Sequence, residues 1–259
     1  MAVYFPPQTD VQLDNSPLIE VICQVRFPVI LRIASEEPSE FQEQIRSEFP
    51  LVELEHGFLF RVPGPGAKGS PTVEPQSRVY RFRTADEQTA ISLGPDFYAL
   101  STKGYRNWGE FARLLNLTHS AVQRVYKPAY AVRLGLRYVN RLSPANTGCA
   151  SVAEMFELLR PELVQQSRSD AWSNPLEMRS RLVLADGDAK LTLGTGYGEE
   201  NGEPFFVLDL DYFEEGRLEL SGLIDRCVQY NDVLYRAFRW CIRAEKLGVF
   251  RPKMKDLSK

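Results

Sequence analysis

Histidine is nearly missing from this 259-residue chain: there are two, His56 and His119, and neither has a partner at motif spacing. Metal-binding H-E-x-x-H is therefore excluded, and neither Ser-x-x-Lys nor G-x-S-x-G occurs. Cysteine is also sparse. Cys23, Cys149, Cys227 and Cys241 form no C-x-x-C pair and follow no disulfide-framework spacing, so free, buried thiols are expected. No apolar run approaches the roughly 20 residues that a membrane-spanning helix needs. Residues 1–14 lack the basic start and apolar core of a secretory signal, so the expected location is the cytoplasm, away from membranes.

What is present is an ordinary globular balance, 44% hydrophobic and 25% charged. The net charge of −3 and a pI near 5.6 disfavour a dedicated nucleic-acid-binding domain and leave room for a local basic patch.

The pattern along the chain alternates strands and helices. Residues 21–27 are rich in β-branched side chains and read as a strand. A helix follows, with Ser39 as its cap and Phe41, Ile45 and Phe49 on one face. Phe58 to Val62 reads as a short strand. Pro63 to Gln76 holds four prolines and three glycines and reads as a loop. Its Gly64 and Gly66 precede no Lys-Ser/Thr helix start, which argues against a phosphate loop. Strands are expected at 78–84, 89–93 and 97–101. Asn107 then caps a long amphipathic helix through Trp108, Phe111, Leu115, Val122 and Tyr126, stopped by Pro128. The second half repeats this order: a strand at 130–142, a helix capped by Ser151 with Val152, Phe156 and Leu159, strands at 179–185, 190–194 and 204–213, and a long helix over 221–244. Between 194 and 198, glycines alternate with Thr195 and Tyr197. The Glu199-Glu200-Asn201-Gly202 that follows is a hairpin signal, which argues against a dinucleotide loop.

The two halves also correspond residue by residue. Residues 23–27 match 134–138 at an offset of 111; Phe41 and Ile45 match Val152 and Phe156 at the same offset. Leu115, Val122 and Tyr126 match Cys227, Leu234 and Phe238 at 112. The expectation is an α+β protein of two internally duplicated β-α-β-β-β-α halves, 1–128 and 129–259. They would form one curved antiparallel sheet with the helices on one face, a saddle or helix-grip arrangement.

Alternation sorts each strand into two faces. Val132, Leu134, Leu136 and Tyr138 form one apolar set; Arg133, Arg137 and Arg141 lie opposite. Arg26 opposes Val21, Cys23, Val25 and Phe27. Arg81 and Arg83 oppose Tyr80 and Phe82, and Arg179 and Arg181 oppose Leu182 and Leu184. Asp209 and Asp211 enter the same polar face, opposite Phe206, Leu208 and Leu210. Arginine rather than lysine dominates there, and its planar fork suits carboxylate and phosphate.

Three readings of this face stand side by side. It is an ion-pair lattice, in which Asp209 and Asp211 neutralise Arg137, Arg181 and their neighbours, serving stability in a structural or assembly subunit. It is a non-enzymatic binding surface for an anionic partner: a protein acid patch, a nucleotide or, disfavoured by the pI, a nucleic-acid backbone. Or Asp209 and Asp211, two carboxylates on one strand face, hold a divalent metal for chemistry on phosphate-containing substrates. The binding surface, comprising Arg26, Arg81, Arg83, Arg133, Arg137, Arg141, Arg179 and Arg181, is the leading expectation. It requires no cofactor and no catalytic residue.

Four segments carry a resemblance: Ser16-Pro17-Leu18-Ile19-Glu20-Val21, Ile91-Ser92-Leu93-Gly94-Pro95, Trp108-Gly109-Glu110-Phe111 and Gly135-Leu136-Arg137-Tyr138-Val139-Asn140-Arg141. Over nearly its whole length the chain resembles a sporadically distributed family of uncharacterised bacterial proteins. The resemblance implies no transferable function. A patchy distribution implies an accessory role, as in defence, conflict or toxin neutralisation. Where many members are expected to carry a histidine in the last helix, this chain has Tyr230-Asn231-Asp232.

Overall fold

The computed structural model describes residues 3–8, 11–61, 72–167 and 176–253. The protein is α+β, with a nine-stranded antiparallel sheet and a separate two-stranded one. The strands are β1 (Gln12–Leu13), β2 (Leu18–Arg26), β3 (Leu51–Arg61), β4 (Thr72–Arg83), β5 (Thr89–Gly94), β6 (Phe97–Thr102), β7 (Ala131–Leu142), β8 (Met178–Asp186), β9 (Ala189–Glu200), β10 (Glu203–Leu218) and β11 (Pro252–Lys253). The α-helices are α1 (Leu31–Ser35), α2 (Ser39–Ile45), α3 (Trp108–Tyr126), α4 (Pro144–Thr147), α5 (Val152–Phe156), α6 (Pro161–Val164) and α7 (Leu223–Cys241). The large sheet has the strand order β3-β4-β5-β6-β2-β7-β10-β9-β8, so β3 and β8 are its edges. No helix among the described residues is long and apolar enough to cross a membrane.

The chain divides into two compact units. One gathers residues 1–21, 135–215 and 225–259; the other gathers 22–134 and 216–224. The cut passes through β2 and β7.

In the second of these units, α2 and α3 cover one sheet face. Phe41 and Ile45 of α2 are fully buried, and Phe41 meets Phe82 of β4 edge-on at 5.4 Å. From α3, Phe111, Leu114, Leu115, Ala121 and Val122 bury against Ile91, Leu93 and Tyr98 of the sheet's apolar face. Each such side chain contributes on the order of 1.5–3 kcal/mol by leaving water. Asn107 caps α3, accepting from the Glu110 N–H at 2.9 Å. The helix stops at Lys127, which takes the left-handed conformation just before Pro128.

In the other unit, Phe156 of α5 meets Tyr197 of β9 edge-on at 5.1 Å, and Tyr230 of α7 meets Tyr212 of β10 at 4.9 Å. Tyr230 donates to Glu214 at 2.7 Å, Tyr138 to Asn231 at 2.5 Å and Tyr212 to Asp186 at 2.8 Å, so these three core hydroxyls have acceptors. Asn231 therefore serves packing. Ser151 caps α5, accepting from the Glu154 N–H at 3.3 Å. All four cysteines are free and buried, and burial pushes the Cys241 thiol up to about 12.

Several expectations are corrected. The N-cap of α2 is Pro38; Ser39 is the first helical residue and makes no cap bond, because the proline turn already sets the entry. The strand expected from Phe58 starts at Leu51, and the strand expected from Arg78 starts at Thr72, since the two pair as one long hairpin. Residues 72–76 of the expected loop lie in β4; the rest of it, with Gly64 and Gly66, lies outside the described residues. His56 lies in β3 opposite Arg78 rather than in a turn, and the register slips between it and Phe58, a bulge at Gly57. The glycine run 194–198 lies inside β9 rather than after a strand. Asn201 and Gly202 both take positive φ in the hairpin turn to β10, as the Asn-Gly pair demands. In α5 it is Met155, with Phe156, that faces the core, while Val152 is half-buried. In β7, Ala131 is buried and Val132 is 37% exposed, so the expected apolar set starts at Leu134.

Candidate functional site: the arginine face

Antiparallel registers set which side chains meet on the face away from the helices. In the unit holding β8, β9 and β10, Arg181 lies opposite Gly194, and Gly194 lies opposite Asp209. One step along, Val183, Thr192 and Asp211 form a second row; in the other direction Arg179, Gly196 and Val207 form a third. Phe205 lies opposite Gly198. Three alternate β9 positions on this face therefore have no side chain, and their neighbours lean in. A Cβ on Gly194 would come 3.3 Å from the Asp209 Cβ, and one on Gly198 would come 3.2 Å from the Phe205 ring. Glycine is required here by close approach rather than by backbone conformation.

Asp209, so placed, is taken by Arg137 of β7. The guanidinium Nε and Nη2 donate to the two carboxylate oxygens, each at 2.6 Å. This hydrogen-bonded carboxylate, more than any other cause, raises the Arg137 pKa above its ordinary value. Arg141 donates to Glu200 at 2.6 Å and stacks on Phe205, 4.4 Å from its centroid. Arg179 pairs with Glu177 at 3.0 Å. Arg181 differs. Its guanidinium reaches the Thr192 hydroxyl at 3.5 Å, and it has no carboxylate partner among the described residues. It is exposed.

In the other unit, Arg81 lies between Glu53 and Ser92 across the strands, and Arg83 lies between Leu51 and Ala90. Arg83 binds Glu53 at 2.6 Å and Glu87 at 3.0 Å. Arg26 pairs with Asp96, and Arg133 donates to the Gln24 side-chain oxygen at 3.2 Å.

The eight arginines thus fall into two sets of four: Arg137, Arg141, Arg179 and Arg181 in one unit, Arg26, Arg81, Arg83 and Arg133 in the other. Four of them, Arg26, Arg83, Arg141 and Arg179, hold carboxylates that the strand pattern had not supplied. Asp96, Glu87, Glu177 and Glu200 come from turns or from strand ends next to turns, and Glu53 from the edge strand. The legible signal was an acid within a few residues of a strand end, in reach of a long Arg side chain. Of the expected lattice, Asp209 pairs with Arg137 and the charge of Asp211 adds to what raises the Arg137 pKa. Gly194 separates Asp209 from Arg181.

Both Asp209 oxygens already accept from Arg137, and among the described residues no three His, Cys, Asp or Glu side chains gather as a metal site. His119 is likewise engaged, its Nδ1 2.7 Å from the Tyr98 hydroxyl. Burial lowers its pKa, partly offset by a hydrogen bond to the Leu220 backbone.

No protein-family model matches the sequence, and no curated protein matches it.

Proposed function

We propose that the chain is a non-enzymatic binding module whose arginine face, at the β8 edge, takes a carboxylate from an acidic protein surface. One observation carries this reading: Arg181 is an exposed strand arginine with no carboxylate partner among the described residues, while the arginines beside it, Arg137, Arg141 and Arg179, each hold one. The carboxylates held by the neighbouring arginines support an acidic protein surface as the partner. A net charge of −3 disfavours nucleic acid as the partner. Arg137, Arg141 and Arg83 act mainly within the chain, which narrows the contact from the eight arginines to Arg181 and its surroundings. Membership of the sporadic bacterial family, and a defence role within it, belong to this proposal and add no residue to the site.

A second reading rests on the Arg137–Asp209 fork and its neighbours: the face is an ion-pair lattice in a structural subunit. Retention of poly-L-glutamate separates the two. A binding face retains it at low salt and releases it as salt screens the contact, and Arg181→Ala abolishes retention. Equal retention by Arg181→Ala and the parent chain would leave only the lattice.

A further inference from the structure

A strand residue has two lateral neighbours on its own face, one from each flanking strand. For Arg181 the inner neighbour is Gly194 of β9, which has no side chain. On the outer side β8 pairs with no strand among the described residues. A side chain directly opposite Arg181 must therefore come from a strand added at that edge. The edge also lacks the usual guards. Native edge strands are kept short, bulged or broken by proline, because their outward N–H and C=O groups template further pairing. Here β8 runs nine residues without proline, in unbroken register with β9. Leu182 is 51% exposed and Val183 44%. They lie on opposite faces of the strand, so no covering of one face buries both, whereas a strand laid beside them reaches both.

The hairpin sets which backbone groups the edge offers. Asp186 and Ala189 flank the turn Gly187-Asp188, and Gly187 takes a φ of 62°. The pair flanking a two-residue hairpin turn exchanges both ladder bonds, and bonded pairs then alternate along the strands. The N–H and C=O groups of Arg179, Arg181, Val183 and Ala185 therefore point away from β9, toward the free edge. Arg181 offers that edge a backbone donor, a backbone acceptor and a guanidinium from one residue. Of the two exposed charges on the edge, Arg179 already holds Glu177, so the acid is specified at Arg181.

We infer that the partner's carboxylate arrives on an extended segment, which adds to the sheet as a strand antiparallel to β8. This rests on the reading of Arg181 as the carboxylate-binding residue. Every pairing in the large sheet is antiparallel, and antiparallel ladders are the more stable per residue. An acid opposite Arg181 shares its face and exchanges backbone bonds with it. The residue before the acid falls opposite Leu182, and the one before that opposite Val183, so both are apolar. The residue after the acid falls opposite Ser180. The segment recognised thus reads apolar, apolar, acidic, polar. Main-chain bonds hold it, and the Arg181 and Leu182 positions select it.

Fluorescence anisotropy tests it, with the full chain and a labelled, end-blocked peptide Thr-Thr-Val-Val-Glu-Thr-Thr at low salt. The parent chain should bind the peptide saturably. Changing the peptide's Glu to Gln, or Arg181→Ala in the protein, should each weaken binding at least about tenfold, the loss of a charge-assisted hydrogen bond. N-methylation separates strand addition from attraction of charge alone. A methyl on the N–H of the peptide's Glu, which points at β8, should also weaken binding about tenfold. A methyl on the N–H of the preceding Val, which points away, should change it less than about threefold. The reversed peptide Thr-Thr-Glu-Val-Val-Thr-Thr should bind more weakly than the forward one. Melting temperatures measured alongside confirm that Arg181→Ala is folded. Equal binding by the two methylated peptides overturns strand addition, and a reversed peptide that binds as well overturns the antiparallel register. A parent chain that retains poly-L-glutamate through Arg181 but does not bind the peptide overturns strand addition alone. A parent chain that takes up neither probe removes the binding reading as well.

Discussion

Arg137 and Asp209 meet fork to fork, two donors on two acceptors at 2.6 Å each. The arrangement depends on a third residue. Gly194 leaves the space into which Asp209 leans, and Asp209 then presents both oxygens to β7.

Removing the fork should cost measurable stability. Both side chains are about a third to a half exposed, 45% for Arg137 and 30% for Asp209, so solvent screening holds the loss in Arg137→Ala to about 1 kcal/mol. That corresponds to a melting temperature roughly 2–4 °C lower by circular dichroism. The losses in Arg137→Ala and Asp209→Ala should not add in the double variant, because each removes the same contact. Strict additivity would mean the fork contributes nothing.

Gly194→Ala reaches the same fork from beneath. Its Cβ would crowd the Asp209 Cβ at 3.3 Å and push the carboxylate off Arg137. The expected loss is about 1–3 kcal/mol, the usual range for overpacking. In an Asp209→Ala background the penalty of Gly194→Ala should shrink. An unchanged penalty would place the crowding elsewhere.

Much of this was legible in the sequence because period-two alternation is a strong signal when one face is packed. Val21, Cys23 and Val25 against Arg26, or Phe206, Leu208 and Leu210 against Asp209, sort cleanly, and both faces of β2 and β10 follow. Where the signal is weak, the reading failed. A Gly-Thr-Gly-Tyr-Gly stretch offers little alternation in hydrophobicity, so β9 extends to Glu200 where a strand only to 194 was expected. Leu182 and Leu184 resemble a core face in sequence, yet β8 is an edge, and Leu182 is exposed. The acids that hold Arg26, Arg83, Arg141 and Arg179 stand in turns, at strand ends or on another strand, and composition within a strand does not reveal what a flexible Arg side chain reaches across the sheet.

Divalent metal should have no effect. With Asp209 held by Arg137, adding Mg²⁺ or Mn²⁺ should leave the melting temperature unchanged, because a ligand raises it only by binding the native state. A concentration-dependent rise abolished by Asp209→Asn together with Asp211→Asn would reinstate the metal reading.

His119 gives the protein a pH dependence of known sign. Burial holds its folded pKa below the ordinary 6.5, so the unfolded chain binds the proton more readily. The stability from keeping it neutral is fully present above pH 6.5 and falls as the pH drops through that value toward the lower folded pKa. The slope within that window stays below the one-proton limit of about 1.4 kcal/mol per pH unit. Urea unfolding at pH 7.5 and pH 5.5 should show the loss, and His119→Gln should flatten it. An equal slope in the variant would assign the pH dependence to other groups.

The central claim is that Arg181 faces a partner whereas Arg137 faces its own chain. The most direct test measures melting temperature and poly-L-glutamate retention together for Arg181→Ala and Arg137→Ala. The account predicts that Arg181→Ala melts within about 1 °C of the parent, as an exposed arginine with no ion pair among the described residues should, and loses retention. Arg137→Ala should melt lower and keep most of it. If Arg181→Ala instead melts as low as Arg137→Ala and retains the probe unchanged, Arg181 belongs to the internal ion-pair lattice and the account is contradicted.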